Sequence, residues 1–203
     1  MNIEKRTYNN TSRAKNADKS TINIIHTTGL LWTKYAINDI TLEMIAEHSG
    51  LTIRTLLRKF GTKENLFEAC LAYDAAHVKK KRNMARKGDI GHIVSTLIEN
   101  YEEMGDASIR TIFLEPDMEI ARKIGQTGRE THRAWCAQVF EPFLPEQNAN
   151  SYDMDLTTFI TATEVYLWKL LRRDLGKSKE ETIAIFTNLL RGLVIIQHQK
   201  LGI

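Results

Sequence analysis

Proline is scarce in this chain: there are three among 203 residues, and Pro116 is the first. Nothing therefore interrupts helix formation in the first half. Cysteine is scarcer still. Cys70 and Cys136 stand 66 positions apart with no Cys-x-x-Cys spacing, which argues against a disulfide framework or a zinc knuckle and fits a reducing compartment. No stretch reaches the roughly 18–20 apolar residues of a membrane helix, and the first twenty residues lack a signal peptide's apolar core. A cytoplasmic protein without membrane contact is expected. G-x-S-x-G, H-E-x-x-H, G-x-G-x-x-G and phosphate-binding loops are also missing, so the reading is of a protein that is not an enzyme and needs no cofactor or metal.

What is present belongs to a folded chain, 42% hydrophobic and 26% charged. The overall charge of +3 hides an asymmetry: residues 1 to 87 carry 16 basic and 8 acidic side chains, a net +8, and the remainder is net −5. A basic head on an acidic body suits a molecule of which one end meets a polyanion. The basic cluster from Lys79 to Lys87 closes the head.

Apolar spacing predicts an all-α fold, with helices near 21–36, 41–48, 52–59, 62–82, 89–104, 107–114, 117–140, 152–175 and 179–199. In the first helix Ile22, Ile25, Trp32 and Tyr35 form the expected buried stripe, with Gly29 beside them. Thr41, Thr52 and Thr62 each precede a helical run as N-caps, and Ser178 to Glu181 reads as a capping box. Residues 143 to 151 read as a loop.

Thr41 to Phe60 reads T-L-E-M-I-A-E-H-S-G-L-T-I-R-T-L-L-R-K-F. A short helix, a tight turn at Gly50 and a second short helix capped by Thr52 make a helix-turn-helix, in which Ile45 and Ala46 pack against Leu51 and Leu56. The second helix of such a unit enters the major groove of DNA, with its first residues at base edges. Two core helices meeting at a glycine turn is the alternative. Thr62 opens a further helix whose N-terminus, together with Lys63, suits a phosphate.

The pattern extends beyond the turn. Ile24 to Phe67, with Trp32, Ile45-Ala46, Gly50-Leu51-Thr52 and the run Phe60-Gly61-Thr62-Lys63-Glu64-Asn65-Leu66, resembles the N-terminal domain of the TetR family of bacterial transcription regulators. Thr163 to Thr182 is similar to the junction of that family's last two helices. Three positions depart: Leu57 replaces the family's phosphate-contacting Tyr, Arg54 replaces a Gly, and Ala36 replaces the Gly ending the first helix. The resemblance implies a DNA-binding set of Thr41, Thr52, Ile53, Arg54, Thr55, Arg58, Lys59, Thr62 and Lys63. With Leu57 unable to donate, the backbone clamp shifts toward Arg58, Lys59 and Lys63. Arg54 is either a guanine reader or a phosphate contact.

The expected organisation is a flexible basic arm over 1–20, a helix-turn-helix domain over 21–82, and a helical effector-binding and dimerisation domain over 83–203. Two long apolar helices near the C-terminus suit a four-helix bundle with a second copy, through Leu167, Leu171, Phe186, Leu189, Leu190, Leu193 and Ile196. The resemblance places a small-molecule effector in the body, and its aromatic, Met and polar side chains offer candidate lining: Tyr101, Met104, Phe113, Met118, His132, Trp135, Phe159, Thr163 and Tyr166. His132 and Cys136 share a helix face but lack convergent partners for a metal. The function expected is a homodimeric repressor that releases palindromic operator DNA on binding an effector. An activator of the same fold, or a ligand-binding module that has lost DNA binding, are the alternatives.

Overall fold

The computed structural model describes residues 10–201, with the side chains of 10–18, 74–77 and 201 left aside. All regular structure among the described residues is helical. Helix α1 spans Asn10–Lys34. Residues 10–20 of the expected arm are thus part of a helix, and 1–9 lie outside the described residues. The buried face of α1 is Ile24, Thr28, Leu31 and Trp32, whereas Ile22 and Tyr35 are exposed. The stripe runs at i, i+4, i+7 and i+8, so of the expected residues Trp32 is buried and Ile25 packs half-buried against the core, while Ile22 and Tyr35 fall outside it.

Helices α2 (Leu42–Ser49), α3 (Ile53–Phe60) and α4 (Lys63–Arg82) follow. Each begins with the predicted threonine cap: Thr41, Thr52 and Thr62 accept from the amides of Met44, Thr55 and Asn65 at 3.2, 3.2 and 3.1 Å. Gly50, at φ 68°, ends α2. Its amide bonds to the Glu47 carbonyl and that of Leu51 to the Ala46 carbonyl, the Schellman arrangement, which needs a residue at ease in the left-handed region.

The body comprises α5 (Ile90–Phe113), α6 (Glu119–Val139), α7 (Tyr152–Ala162), α8 (Val165–Lys169) with a π-helical turn over Leu170–Asp174, and α9 (Lys179–Leu201). Two expected boundaries move. The separate helices 89–104 and 107–114 are one helix, α5, in which Gly105 lets the Trp168 ring approach so closely that a Cβ would lie 2.4 Å from it. Conversely, 152–175 breaks at Thr163. The Thr163 hydroxyl donates to the Phe159 carbonyl at 2.7 Å, the Tyr101 hydroxyl takes up the Thr163 carbonyl at 2.8 Å, and Glu164 caps the Val165 amide at 3.2 Å. These bonds offset part of the cost of the backbone groups that the break frees.

Beyond the break, α8 and its π turn are held to α5 by Arg172 on Glu102 at 2.6 Å and Arg173 on Asp106 at 2.8 Å. The predicted capping box opens α9: the Ser178 amide donates to Glu181 at 2.8 Å and the Glu181 amide to Ser178 Oγ at 3.1 Å. The body core is built around Phe140 stacked on Phe159 at 4.5 Å, with Trp168, Phe186 and Leu190 beside them. The head has its own core of Ile24, Trp32, Ile45, Leu56, Leu66 and Phe67, but Ala107, Ile120 and Ile124 of the body join it. Trp32 Nε1 donates to Thr111 Oγ1 at 3.0 Å and Arg110 donates to the Thr33 carbonyl at 2.8 Å, so head and body meet through a packed, hydrogen-bonded seam.

Candidate nucleic-acid interface and body cavity

The recognition surface is set by α3. Leu56 is buried and anchors the helix, and Ile53 and Phe60 pack half-buried against the same core. With that side turned inward, Arg54, Leu57 and Arg58 face outward, at positions i, i+3 and i+4 of one face. Thr55 Oγ1 lies 3.0 Å from Thr52 Oγ1, so both hydroxyls belong to the cap. Lys59 donates to Thr21 Oγ1 at 2.8 Å, a tie between α3 and α1. Asn23 on α1 donates to the Ser49 carbonyl at 2.9 Å and holds the end of α2. Lys63 is half-buried beside Phe67, 5.9 Å from its ring, and partial burial lowers its pKa while Glu64 and Asp39 oppose the shift.

A second feature lies where α4, α5, α6 and the α7–α8 break converge: a cavity of about 180 Å³. That is many times the roughly 10–15 Å³ that one water needs. Its walls are largely apolar, with Trp32, Leu71, Met104, Ile112, Ile124 and Val165. The polar side carries Arg82, Asn100, Tyr101, Arg129, His132 and Glu164.

Arg82, the last residue of α4, is buried there at 6% exposure. Its Nη1 is 3.1 Å from His132 Nδ1, its Nη2 donates to Asn100 Oδ1 at 3.2 Å, and its Nε has no partner among the described residues. A guanidinium only donates, so His132 Nδ1 accepts and the imidazole proton sits on Nε2, which donates to Thr163 Oγ1 at 3.0 Å. Burial, with the Arg82 charge adding to it, pushes the His132 pKa down to about 3. The ring is therefore neutral at physiological pH. Cys136 Sγ lies 3.6 Å from His132 Nε2 and 3.5 Å from Thr163 Oγ1, and burial pushes its thiol up to about 12. Burial also raises the pKa of the Tyr101 phenol and of the Glu164 carboxyl. Among the described residues no group of three or more His, Cys, Asp or Glu side chains is placed to hold a metal ion, and no helix is long and apolar enough to cross a membrane.

Residues 24–70 match the family described as bacterial regulatory proteins, tetR family. Over these residues the head matches the N-terminal domain of that family. The whole fold is similar to that of a proposed transcriptional regulator from Pseudomonas aeruginosa PAO1, at TM-score 0.67 and 10% identity over 90% of this chain and 94% of the other. It is also similar to a TetR transcriptional regulator from Rhodococcus sp. RHA1, at TM-score 0.54 and 14% identity over 87% and 97%. At these identities the likeness is one of fold. No curated protein matches the chain by sequence.

Within the TetR-type head, the nine residues expected to meet DNA differ in exposure and in the contacts they make. Ile53 turns toward the core, and Thr41, Thr52, Thr55 and Thr62 engage helix ends, which leaves Arg54 and Arg58 as the exposed cations of α3. In the body, Tyr101, Met104 and His132 of the candidate effector residues line the cavity. Thr163 stands behind them, bonded to His132. Trp135 and Phe159 are buried in the body core, Met118 packs against the head core, and Phe113 and Tyr166 are exposed. These five are not in the lining. Phe113 falls at the end of α5 and Tyr166 in the first turn of the short α8, and both rings turn outward there.

Arg82, Asn100, Arg129 and Glu164 were not expected in the cavity. Arg82 lies in the basic cluster read as the edge of a polyanion-binding head, yet it points inward, and its neighbours Lys81 and Lys87 pair with Glu103 and Glu141. No local signal separates it from Lys79 or Lys80. Of the expected dimer residues, Leu171, Phe186 and Leu190 are consumed in the chain's own core, while Leu189 and Ile196 are exposed and Leu167 and Leu193 half-buried. The apolar stripe of α9 is thus two faces: one inward through Phe186 and Leu190, the other outward through Leu189, Ile195 and Ile196.

Proposed function

We propose that the protein is a sequence-specific transcription regulator, a homodimeric repressor that releases a two-part operator when its body cavity takes up a small-molecule effector. The observation that carries this reading is the span of α4. Its first turn, at Thr62 and Lys63, lies beside the recognition helix, and its last residue, Arg82, lines the cavity. A ligand that prefers one placement of the α4 C-terminus therefore biases the placement of the head, and operator affinity falls by that coupling energy. The outward face of α9 supports the dimer, since two copies joined there present two heads to a palindrome. In sequence, residues 1–20 add Lys5, Arg6, Arg13, Lys15 and Lys19 ahead of the helix-turn-helix. Such a regulator works in the cytoplasm, without catalysis or a resident cofactor.

Genomic fragments selected by the full-length protein, followed by footprinting, test the reading. A short protected palindrome is expected, with affinity that falls steeply with salt as phosphates displace counterions, and Lys63→Ala should weaken all sequences alike and flatten the slope. Binding without sequence preference at every salt concentration would refute it. Leu57, 41% exposed on the recognition face, favours one second reading. A side chain that cannot bond a phosphate there suits a ligand-binding module without an operator, and Leu57→Tyr, which restores a donor, then creates DNA affinity where the wild type has none.

A further inference from the structure

We propose that the body cavity selects a carboxylate, a monoanionic acid group on a compact apolar body, and that Arg82 is the residue that binds it. The inference rests on the proposal that this cavity is the effector site. Three observations meet at Arg82. It is almost wholly buried in a cavity with apolar walls, yet among the described residues it makes no ion pair. Its partners are neutral: His132 Nδ1, Asn100 Oδ1, and the ring of Trp135 at 5.2 Å. Its Nε hydrogen is buried with no acceptor among the described residues. A desolvated cation with no directly bonded counter-ion is costly, and a ligand that brings a carboxylate into contact with it offsets that cost on binding.

The charges around the cavity decide between ligand types. Arg129 is already neutralised by a two-bond pair with Glu115 at 2.7 and 3.1 Å. His132 contributes no charge at neutral pH, because burial and Arg82 hold it deprotonated. Glu164 is the remaining acid of the lining; one of its oxygens accepts from the Val165 amide, burial raises its pKa while that bond, Arg82 and Arg129 oppose the shift, and among the described residues it makes no hydrogen bond or ion pair with Arg82. The one guanidinium of the lining without a directly bonded acid calls for one carboxylate. A carboxylate matches the guanidinium fork and closes that balance, whereas a dianionic phosphate leaves surplus charge against the apolar walls.

The test uses the full-length protein and matched probes: 4-phenylbutanoate, 2-naphthoate and decanoate, each beside its primary amide and its amine, with phenyl phosphate added. Binding is read by quenching of tryptophan fluorescence and by thermal shift. At least one acid should bind about tenfold to a hundredfold more tightly than its amide, the value of one charge-assisted hydrogen bond. Arg82→Met should bring that acid-to-amide ratio to about one, Arg82→Lys should keep part of it, and Glu164→Gln, which removes the lining's own carboxylate, should tighten acid binding. The wild-type ratio decides the matter even if Arg82→Met fails to fold. Equal binding of acid and amide, no binding of any acid at millimolar concentration, tighter phosphate binding, or amine binding that Glu164→Gln abolishes would each overturn the proposal. Operator binding is measured in parallel. Arg82-dependent acid binding that leaves DNA affinity untouched would sink the effector reading and spare this one, while operator release by amides alone would do the reverse.

Discussion

His132 gives the cavity a pH signature that can be worked out in advance. In the folded chain its pKa is pushed down to about 3, chiefly by burial and secondarily by Arg82, while the unfolded chain titrates near the ordinary 6.5. A depressed folded-state pKa means that the unfolded chain takes up the proton first as the pH falls. Stability is therefore full above pH 6.5 and is lost progressively from there down toward pH 3. Linkage puts the loss at about 2 kcal/mol between pH 7 and pH 5, and close to 4 kcal/mol by pH 3. The perturbation is His132→Gln, whose amide can still accept from Arg82 and donate to Thr163 but does not titrate. Glu164, Arg82, Tyr101 and Cys136 surround both side chains alike, so their contributions cancel in the difference. Urea unfolding of both proteins at half-unit steps from pH 7.5 to 4.5 is the assay. Wild type should begin level with or above the variant and converge on or cross it as the pH falls, by about 2 kcal/mol over pH 7 to 5. Parallel stability curves would refute the placement of a neutral imidazole against Arg82.

Three further outcomes follow from the geometry. Gly105→Ala brings a Cβ to 2.4–2.7 Å from three ring atoms of Trp168 and should destabilise by about 1–3 kcal/mol, whereas Gly128→Ala, whose Cβ meets nothing within 4 Å, should gain about 0.5–1 kcal/mol; urea midpoints of equal sign would contradict this packing. If Arg54 reads a guanine, Arg54→Ala should lose about 1–3 kcal/mol on the selected operator and far less on one lacking that base; an equal loss on both makes it a phosphate contact. Leu189→Glu and Ile196→Glu, on the outward face of α9, should yield monomers by light scattering with helix content unchanged, while a monomeric wild type would remove the dimer from the mechanism.

The recognition unit was legible because its determinants are local. Thr41, Thr52 and Thr62 each cap an amide three residues ahead, and Gly50 closes α2 through bonds that span three and five residues. Such bonds depend on residues within one short segment, so the helix-turn-helix and the start of the helix after it could be read from residues 41 to 66 alone. The α9 capping box belongs with them. Apolar spacing was less decisive, because Leu189 and Leu190 carry the same kind of side chain and face opposite ways.

Tertiary structure decided what no local window contains. The break that divides α7 from α8 exists because Tyr101, 62 residues away, takes the Thr163 carbonyl. The unbroken α5 passes Gly105 because Trp168 needs that space. Arg82 has the same chemistry in sequence as Lys79 to Lys81, and only its meeting with Asn100 and with His132, 18 and 50 residues on, turns a surface cation into a buried one. Helix caps are short-range hydrogen bonds that a sequence writes down directly. The burial of a charge depends on how helices separated along the chain come together, because desolvation is a property of the assembled surroundings and not of the residue.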